Sequence, residues 1–219
     1  LQIIFQDPYS SLNPRMSISD TIAMPRKVHK MCNTRADLDK RIKELMDKVG
    51  LAQRLVNSYP HELDGGRRQR VCVARALALE PKFIVCDEPV SALDVSIQAQ
   101  ILNLFMDLQE EMGLTYMFVT HDLSVVNHIS DEIMVMYMGN CVEKAPYKEL
   151  FANPVHPYTQ ALLAAIPIPD ISMRKKKIKV IRGEVSSPID PEPGCRFIPR
   201  CEHSSEECKG HTLPLNEIA

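Results

Sequence analysis

Two short apolar runs, each stopped by polar side chains, constrain the fold of this chain more than any other feature. Phe83-Ile84-Val85-Cys86 ends at Asp87-Glu88-Pro89, and Thr115–Val119 ends at Thr120-His121-Asp122. Continuous apolar runs of this length suit strands buried on both faces, as in a parallel sheet. Between them, Ser96–Met112 repeats Ile97, Ile101, Leu104, Phe105, Leu108 and Met112 at helical spacing. Strand, helix, strand is the unit of an α/β fold. Both polar groups follow strand carboxyl ends, where open α/β sheets place ligands.

The flanking sequence extends this pattern. Residues 1–6 read as a strand that Gln6-Asp7-Pro8 terminates, and Ser10, Ser11, Asn13 and Pro14 keep the following chain irregular. Residues 17–62 read as helical. Their clearest piece is Asp37–Val49, with Leu38, Ile42, Leu45, Met46 and Val49 at helical spacing and Gly50 where a helix end wants it. A helix is expected over Arg67–Leu79, closed by Pro81. Ile133–Met138 is a further strand, which Gly139-Asn140 turns back into Cys141-Val142-Glu143. From about Asn153 the character changes. Pro154, Pro157, Pro167 and Pro169 precede the basic run Arg174-Lys175-Lys176-Lys177, and Pro188, Pro191, Pro193 and Pro199 frame three cysteines. This part reads as a loop-rich appendage.

Composition narrows the class. The 219 residues suffice for one compact domain plus an appendage. Net charge is −2, which points to neither nucleic acid nor an anionic membrane surface as the main partner. The basic run reads as a solvated loop. No stretch approaches the roughly 18–20 apolar residues of a membrane span, and no signal peptide is evident. The chain opens at Leu1 within an apolar run and without an initiator Met, which reads as a fragment. Seven cysteines, four scattered among apolar neighbours (Cys32, Cys72, Cys86, Cys141) and three clustered late, fit a reducing cytosol better than a disulfide scaffold.

Candidate chemistry lies at the strand ends. An apolar strand ending in two acids has the pattern of a Walker B strand, in which Asp87 would bind Mg²⁺ and Glu88 would act as general base. Acids also follow strands by chance. His121 lies one βαβ unit after Glu88, a spacing that can bring it beside Glu88 to hydrogen-bond a γ-phosphate and the attacking water. A lone histidine there is otherwise structural. In Leu63-Asp64-Gly65-Gly66-Arg67-Arg68-Gln69-Arg70, two glycines opening a helix leave backbone N–H groups free to approach a phosphate. A glycine pair by itself equally marks a tight turn.

Order decides between these readings. Gln6, the Gly65-Gly66 helix start, Asp87-Glu88, Ser91-Ala92-Leu93-Asp94 and His121 resemble, in order and spacing, the Q-loop, signature, Walker B, D-loop and H-loop of ABC ATPases. Phe5-Gln6-Asp7-Pro8-Tyr9-Ser10-Ser11-Leu12-Asn13-Pro14-Arg15-Met16 and Tyr59-Pro60-His61-Glu62-Leu63 resemble the oligopeptide/dipeptide/nickel importer subfamily. So do His156-Pro157-Tyr158-Thr159 and Gly194-Cys195-Arg196-Phe197-Ile198-Pro199-Arg200-Cys201. The resemblance implies a P-loop NTPase-like α/β core, here incomplete, over residues 1–152, with a helical subdomain over about 7–66. It implies an importer-type extension over 153–219.

For function, the resemblance implies an ATP- and Mg²⁺-dependent subunit energising import of peptides or nickel. Gln6 would contact Mg²⁺ and couple to the membrane domain, and Asp94 would lie at a dimer interface. The Asp64-Gly65-Gly66 segment would close over ATP held by the opposite subunit. The implied partners are a second ATPase subunit, two membrane permeases and an extracytoplasmic solute-binding protein, with the subunit peripheral on the cytoplasmic membrane face. An alternative is a non-transport ABC-type regulatory or interaction protein. Such proteins generally lack the His156-Pro157-Tyr158-Thr159 segment and the cysteine-rich tail.

Three departures from the family pattern stand out. No P-loop is present: the first glycine is Gly50 and no Gly-Lys pair occurs. In the family that loop lies upstream of the Q-loop, so it reads as cut away rather than mutated, and the fragment is expected to be inactive. Asp64 stands where the family usually has Ser, and Arg67 where it has Gln. An ionised Asp64 at ~4 Å from a phosphate, at an effective dielectric of ~20, would be repelled by about 4 kcal/mol. Either Asp64 caps the following helix, the preferred reading, or Arg67 or Arg68 neutralises it, or the composite site is weak. On the capping reading, Asp64→Ser should change turnover of the full-length protein less than tenfold. Finally, Cys195, Cys201 and Cys208 have neither zinc-finger nor common ferredoxin spacing. A similar subfamily cluster with a fourth Cys is associated with a 4Fe–4S centre. Free thiols, or zinc with His203 or His211, are the alternatives.

Overall fold

The computed structural model describes residues 1–32, 34–166, 183, 189–190, 193–210 and 214–217. The basic run 174–177, Pro167, Pro169, Pro188, Pro191 and His211 lie outside the described residues. The chain divides into two compact units, Leu1–Val125 and Val126–Ala219.

The first unit is built on three parallel strands, β1 (Gln2–Ile4), β2 (Phe83–Asp87) and β3 (Thr115–Val119), in that spatial order. Ile4 is level with Cys86, and Asp87 with Val119, so the three carboxyl ends open onto one edge. Between β1 and β2 run α1 (Ile18–Val28), α2 (Arg35–Lys48) and α3 (Gly65–Leu77). Helix α4 (Val95–Met112) connects β2 to β3. Each of these helices starts at a side-chain cap. Ser17, Thr34, Asp64 and Asp94 accept the N–H groups of Asp20, Asp37, Arg67 and Ile97 respectively. Gly113 ends α4 at φ 62°, the left-handed geometry a helix stop favours.

One face of the parallel sheet is covered. Ile4, Ile84 and Cys86 are fully buried with Val73, Leu77, Ile101 and Phe105. Phe105 meets the edges of Tyr116 and Phe118 at 5.4 and 5.2 Å. The other face carries Ile3, Phe5, Met117 and Val119, all exposed.

Helix α5 (Leu123–Ile129) leads into the second unit, where β4 (Glu132–Tyr137) and β5 (Asn140–Pro146) form an antiparallel hairpin. β4 therefore pairs with β5 rather than extending the parallel sheet. The cause is the short turn at Met138-Gly139, both at positive φ, which folds β5 directly back on β4. Helices α6 (Tyr147–Ala152) and α7 (Pro157–Ala164) follow. Leu150 packs with Ile133 and Val135, and Tyr137, Tyr158 and Phe197 stack edge to face around this core. The appendage expected from Asn153 thus shares its core with residues from β4 onward.

Candidate functional site

The carboxyl edge of the parallel sheet gathers three side chains that are far apart in sequence. Glu88 follows the last residue of β2 and sits at φ 44°, a conformation uncommon for a residue with a Cβ. Its N–H donates to the Val119 carbonyl at the end of β3 (2.8 Å), and Ser91 Oγ donates to its carbonyl (3.1 Å). These bonds fix the backbone and aim the carboxylate. Gln6 Nε2, beyond β1, donates to Glu88 Oε2 at 2.6 Å. His121 Nδ1, beyond β3, lies 2.8 Å from Glu88 Oε1. The contact with His121 holds the Glu88 carboxyl below its ordinary pKa, and Glu88 in turn raises that of His121. At neutral pH the carboxylate is an ionised acceptor with both oxygens engaged.

Asp87 ends β2 and lines, with Gln6, an open cleft of about 620 Å³ that also includes Asp7, Met24, Pro25 and Arg75. A carboxylate and an amide oxygen are hard donors of the kind Mg²⁺ takes, so this donor set fits the cation.

Asp64, Gly65 and Gly66 form a second group at the start of α3. Asp64 Oδ1 accepts the N–H of Arg67 at 2.8 Å, and Oδ2 lies 3.4 Å from Arg67 Nε. The structure thus combines two of the arrangements open for Asp64, capping and neutralisation by Arg67. Arg68 instead donates to the Pro60 carbonyl and lies over the Tyr9 ring. The glycines also serve packing. A Cβ on Gly66 would come within 2.5 Å of Ile97 Cγ2, and one on Gly65 within 3.1 Å of Leu93 Cδ2. The start of α3 therefore rests on the stretch that leads from Glu88 through Asp94 into α4, where exposed Asp94 caps α4. Sequence reasoning missed two ties between the loop after Gln6 and α3. Arg75 donates to the Ser11 carbonyl (2.6 Å), and Arg68 stacks on Tyr9. Arginines seven apart on one helix were the available signal.

The three late cysteines each meet local partners. Cys195 N–H donates to the Cys208 carbonyl, Cys201 Sγ accepts the His203 N–H, and the Cys208 thiol meets Ser205 Oγ. Among the described residues no three His, Cys, Asp or Glu side chains converge on a common point. The expectation of a 4Fe–4S cluster is therefore without support. Cys32, read as sitting among apolar neighbours, in fact accepts from Arg26 Nε at 3.2 Å.

The parallel sheet with its helices, and the glycine-started helix beside its carboxyl edge, have the fold of ABC-type ATPases. The fold comparison agrees. The chain superposes on the structure of cbiO1 from Clostridium perfringens, part of the ABC transporter complex cbiONQ, with TM-score 0.62 and 30% identity over 69% of this chain and 59% of that one. Residues 1–91 match the ABC transporter family, and residues 142–208 match the C-terminal region of oligopeptide/dipeptide transporters. The chain is 54% identical to the oligopeptide transport ATP-binding protein OppF of Salmonella typhimurium, over 99% of its own length and 65% of that protein. It is 49% identical to the protein of Bacillus subtilis named "Putative oligopeptide transport ATP-binding protein YkfD", over 100% and 67%. The chain belongs to the family of ATP-binding subunits of oligopeptide/dipeptide ABC importers, and it spans about two thirds of the length of the relatives it matches. Among the described residues no helix is long and apolar enough to cross a membrane.

Proposed function

We propose that the full-length protein represented by this chain hydrolyses ATP to energise import of peptides, or of nickel, through an ABC transporter. The observation that carries the reading is the meeting of Gln6, Glu88 and His121 at the ends of three adjacent parallel strands. In this reading Glu88 orients the attacking water and accepts its proton, while His121 donates to a terminal phosphate oxygen. Asp87 and Gln6 hold the magnesium, which supplies charge neutralisation at the phosphates. Gly65 and Gly66 bring the N–H groups of α3 against the phosphate of a nucleotide held by the opposite subunit, and Asp94 lines that interface.

The partners are a second ATPase subunit, homologous or paralogous, two membrane permeases and an extracytoplasmic solute-binding protein. The subunit is peripheral on the cytoplasmic membrane face. Residues 1–152 serve the ATPase, with the helical subdomain about 7–66 as its coupling part, and 153–219 form the importer-type extension. Because no Gly-Lys pair occurs in these 219 residues, this chain alone lacks the lysine that holds the β- and γ-phosphates and should show negligible turnover.

The test uses the full-length subunit assembled with its partners in vesicles. Glu88→Gln and His121→Ala should each lower ATP hydrolysis and peptide uptake by about 10²-fold or more, with ATP still bound. Retention of turnover within tenfold by both variants would remove Glu88 and His121 from the chemistry.

A further inference from the structure

Gln6 reaches Glu88 from an irregular stretch, so its aim depends on what holds that stretch in place. β1 ends at Ile4, α1 starts at Ile18, and Phe5, Gln6 and Asp7 are all exposed. The residues after Gln6 form a turn that Asp7 closes on itself. The Asp7 carboxylate accepts the N–H groups of Tyr9 (2.8 Å) and Ser10 (3.3 Å). Its carbonyl accepts the N–H and the hydroxyl of Ser11, at 3.1 and 2.6 Å. These bonds stiffen the turn but do not fix where it sits, because both ends of each lie within it. Other contacts fasten the turn to its surroundings. Pro8 and Leu12 are buried, but apolar packing has no direction of its own. Arg68 lies 5.0 Å over the ring of Tyr9, a residue 62% exposed. Half-buried Arg75, on α3, donates through Nη1 to the Ser11 carbonyl at 2.6 Å, a short, directional bond from a charged donor. Arg75, Ser11, Gln6 and Asp87 line the same cleft.

We infer that Arg75 is a positioning residue of the hydrolytic site: it fastens the Ser11 carbonyl to α3 and thereby keeps the Gln6 amide on Glu88. The inference deepens the reading proposed above and rests on it. Because the Asp7 turn is closed on itself, it moves as a body, and a shift at Ser11 is passed on to Gln6. The bond from Gln6 Nε2 to Glu88 Oε2 is 2.6 Å long, and hydrogen bonds weaken steeply with stretching and misalignment. A misplacement of about 1 Å is enough to slow a reaction by about 10²-fold. Arg75 acts here only through Gln6, so its removal should matter while Gln6 is present and cease to matter once Gln6 is gone.

The experiment is a double-mutant cycle on ATP turnover by the full-length subunit assembled with its partners in vesicles. Arg75→Met keeps the apolar stem and removes the donor, and it should lower kcat about tenfold. Arg75→Lys keeps a cationic donor for a bond that uses only one guanidinium nitrogen, so its kcat should lie within about threefold of the parent. Gln6→Ala should lower kcat about tenfold by itself, and adding Arg75→Met to it should cost less than about twofold more. An arginine needed only for folding would cost the same in both backgrounds, and that result would overturn the inference. So would parent-level kcat in Arg75→Met. Should Arg75→Met melt too early to assay, Arg75→Gln, shorter but polar, takes its place in the same cycle. Parent-level turnover in Gln6→Ala would instead overturn the reading of Gln6 at the hydrolytic site, and this inference with it.

Discussion

Glu88 Oε1 and His121 Nδ1 lie 2.8 Å apart although 33 residues separate them in sequence. The contact exists because β2 and β3 are parallel neighbours that end level, with Asp87 opposite Val119. A residue just past each end therefore faces its counterpart.

This pair sets a pH window. The Glu88 pKa is lowered from 4.5, chiefly by the His121 hydrogen bond, so its contribution is full above 4.5 and is lost as pH falls through the depressed value. The His121 pKa is raised from 6.5, chiefly by the hydrogen bond with Glu88, so its contribution is full below 6.5 and is lost as pH rises through the raised value. The ion pair is thus complete between 4.5 and 6.5 and weakens on either side. An NMR titration of the His121 ring should show a midpoint above 6.5, and Glu88→Gln should bring it back toward that value. An unchanged midpoint in the variant would show that Glu88 does not hold the imidazolium.

The glycine pair makes a steric prediction separate from any ligand. A Cβ at Gly66 would lie 2.5 Å from Ile97 Cγ2, far inside contact distance. Alanine is favoured over glycine within a helix by about 1 kcal/mol, but overpacking of this severity costs about 1–3 kcal/mol. Gly66→Ala should therefore lower the melting temperature, and adding Ile97→Ala should recover most of the loss. If Gly66→Ala alone is neutral, α4 yields more readily than this packing implies.

How much of this was legible in the sequence depends on how local each signal was. The strands at Phe83–Asp87 and Thr115–Val119 were readable as uninterrupted apolar runs, but the burial on both faces that such runs suggest is not met: β2 is buried only at alternate positions and β3 exposes Met117 and Val119. The Asp64 cap was readable because a short acid before two glycines has few other uses. The hairpin of β4 with β5 was signalled by Gly139-Asn140, but the face that β4 buries was not. Its exposed positions are Met134 and Met136, which are as apolar as buried Ile133 and Val135, so its alternation does not show. Nor was the bond from Gln6 to Glu88, whose partners are 82 residues apart and meet only once β1 lies beside β2. The family resemblance suggested a cluster at the late cysteines, yet Cys201 and Cys208 meet local partners, which sequence alone does not reveal.

A buried cation holds α1 to the loop before β2. Arg26 is 9% exposed, and its Nη1 donates to the Ala78 carbonyl (2.9 Å) and to Glu80 Oε1 (3.2 Å). Arg41 on α2 reaches the same Glu80 oxygen at 2.8 Å from a more exposed position. Arg26→Met keeps the apolar stem but leaves the Ala78 carbonyl buried without its donor, a loss of about 1–3 kcal/mol. Arg41→Gln removes two partly screened pairs, with Glu80 and with Glu44, together worth about 1 kcal/mol. Chemical denaturation of the two variants should rank them in that order. A larger loss for Arg41→Gln would place the anchor on α2 instead.

Thiol reactivity should separate the cysteines by environment. Burial pushes the Cys72 thiol up to about 11 and raises that of Cys86 further, which leaves almost no thiolate at neutral pH. Hydrogen bonds from Ser205, its backbone first, hold the Cys208 thiol below the ordinary value of 9.0. Because alkylation proceeds through the thiolate, Cys208 should react with iodoacetamide at pH 7.5 at least about tenfold faster than Cys72 or Cys86. Ser205→Ala should slow Cys208 by removing the side-chain donor while leaving the two buried cysteines unaffected. Peptide mapping by mass spectrometry at timed intervals reads all three positions at once. Equal rates at Cys208 and Cys72 would mean that Ser205 does not stabilise the thiolate.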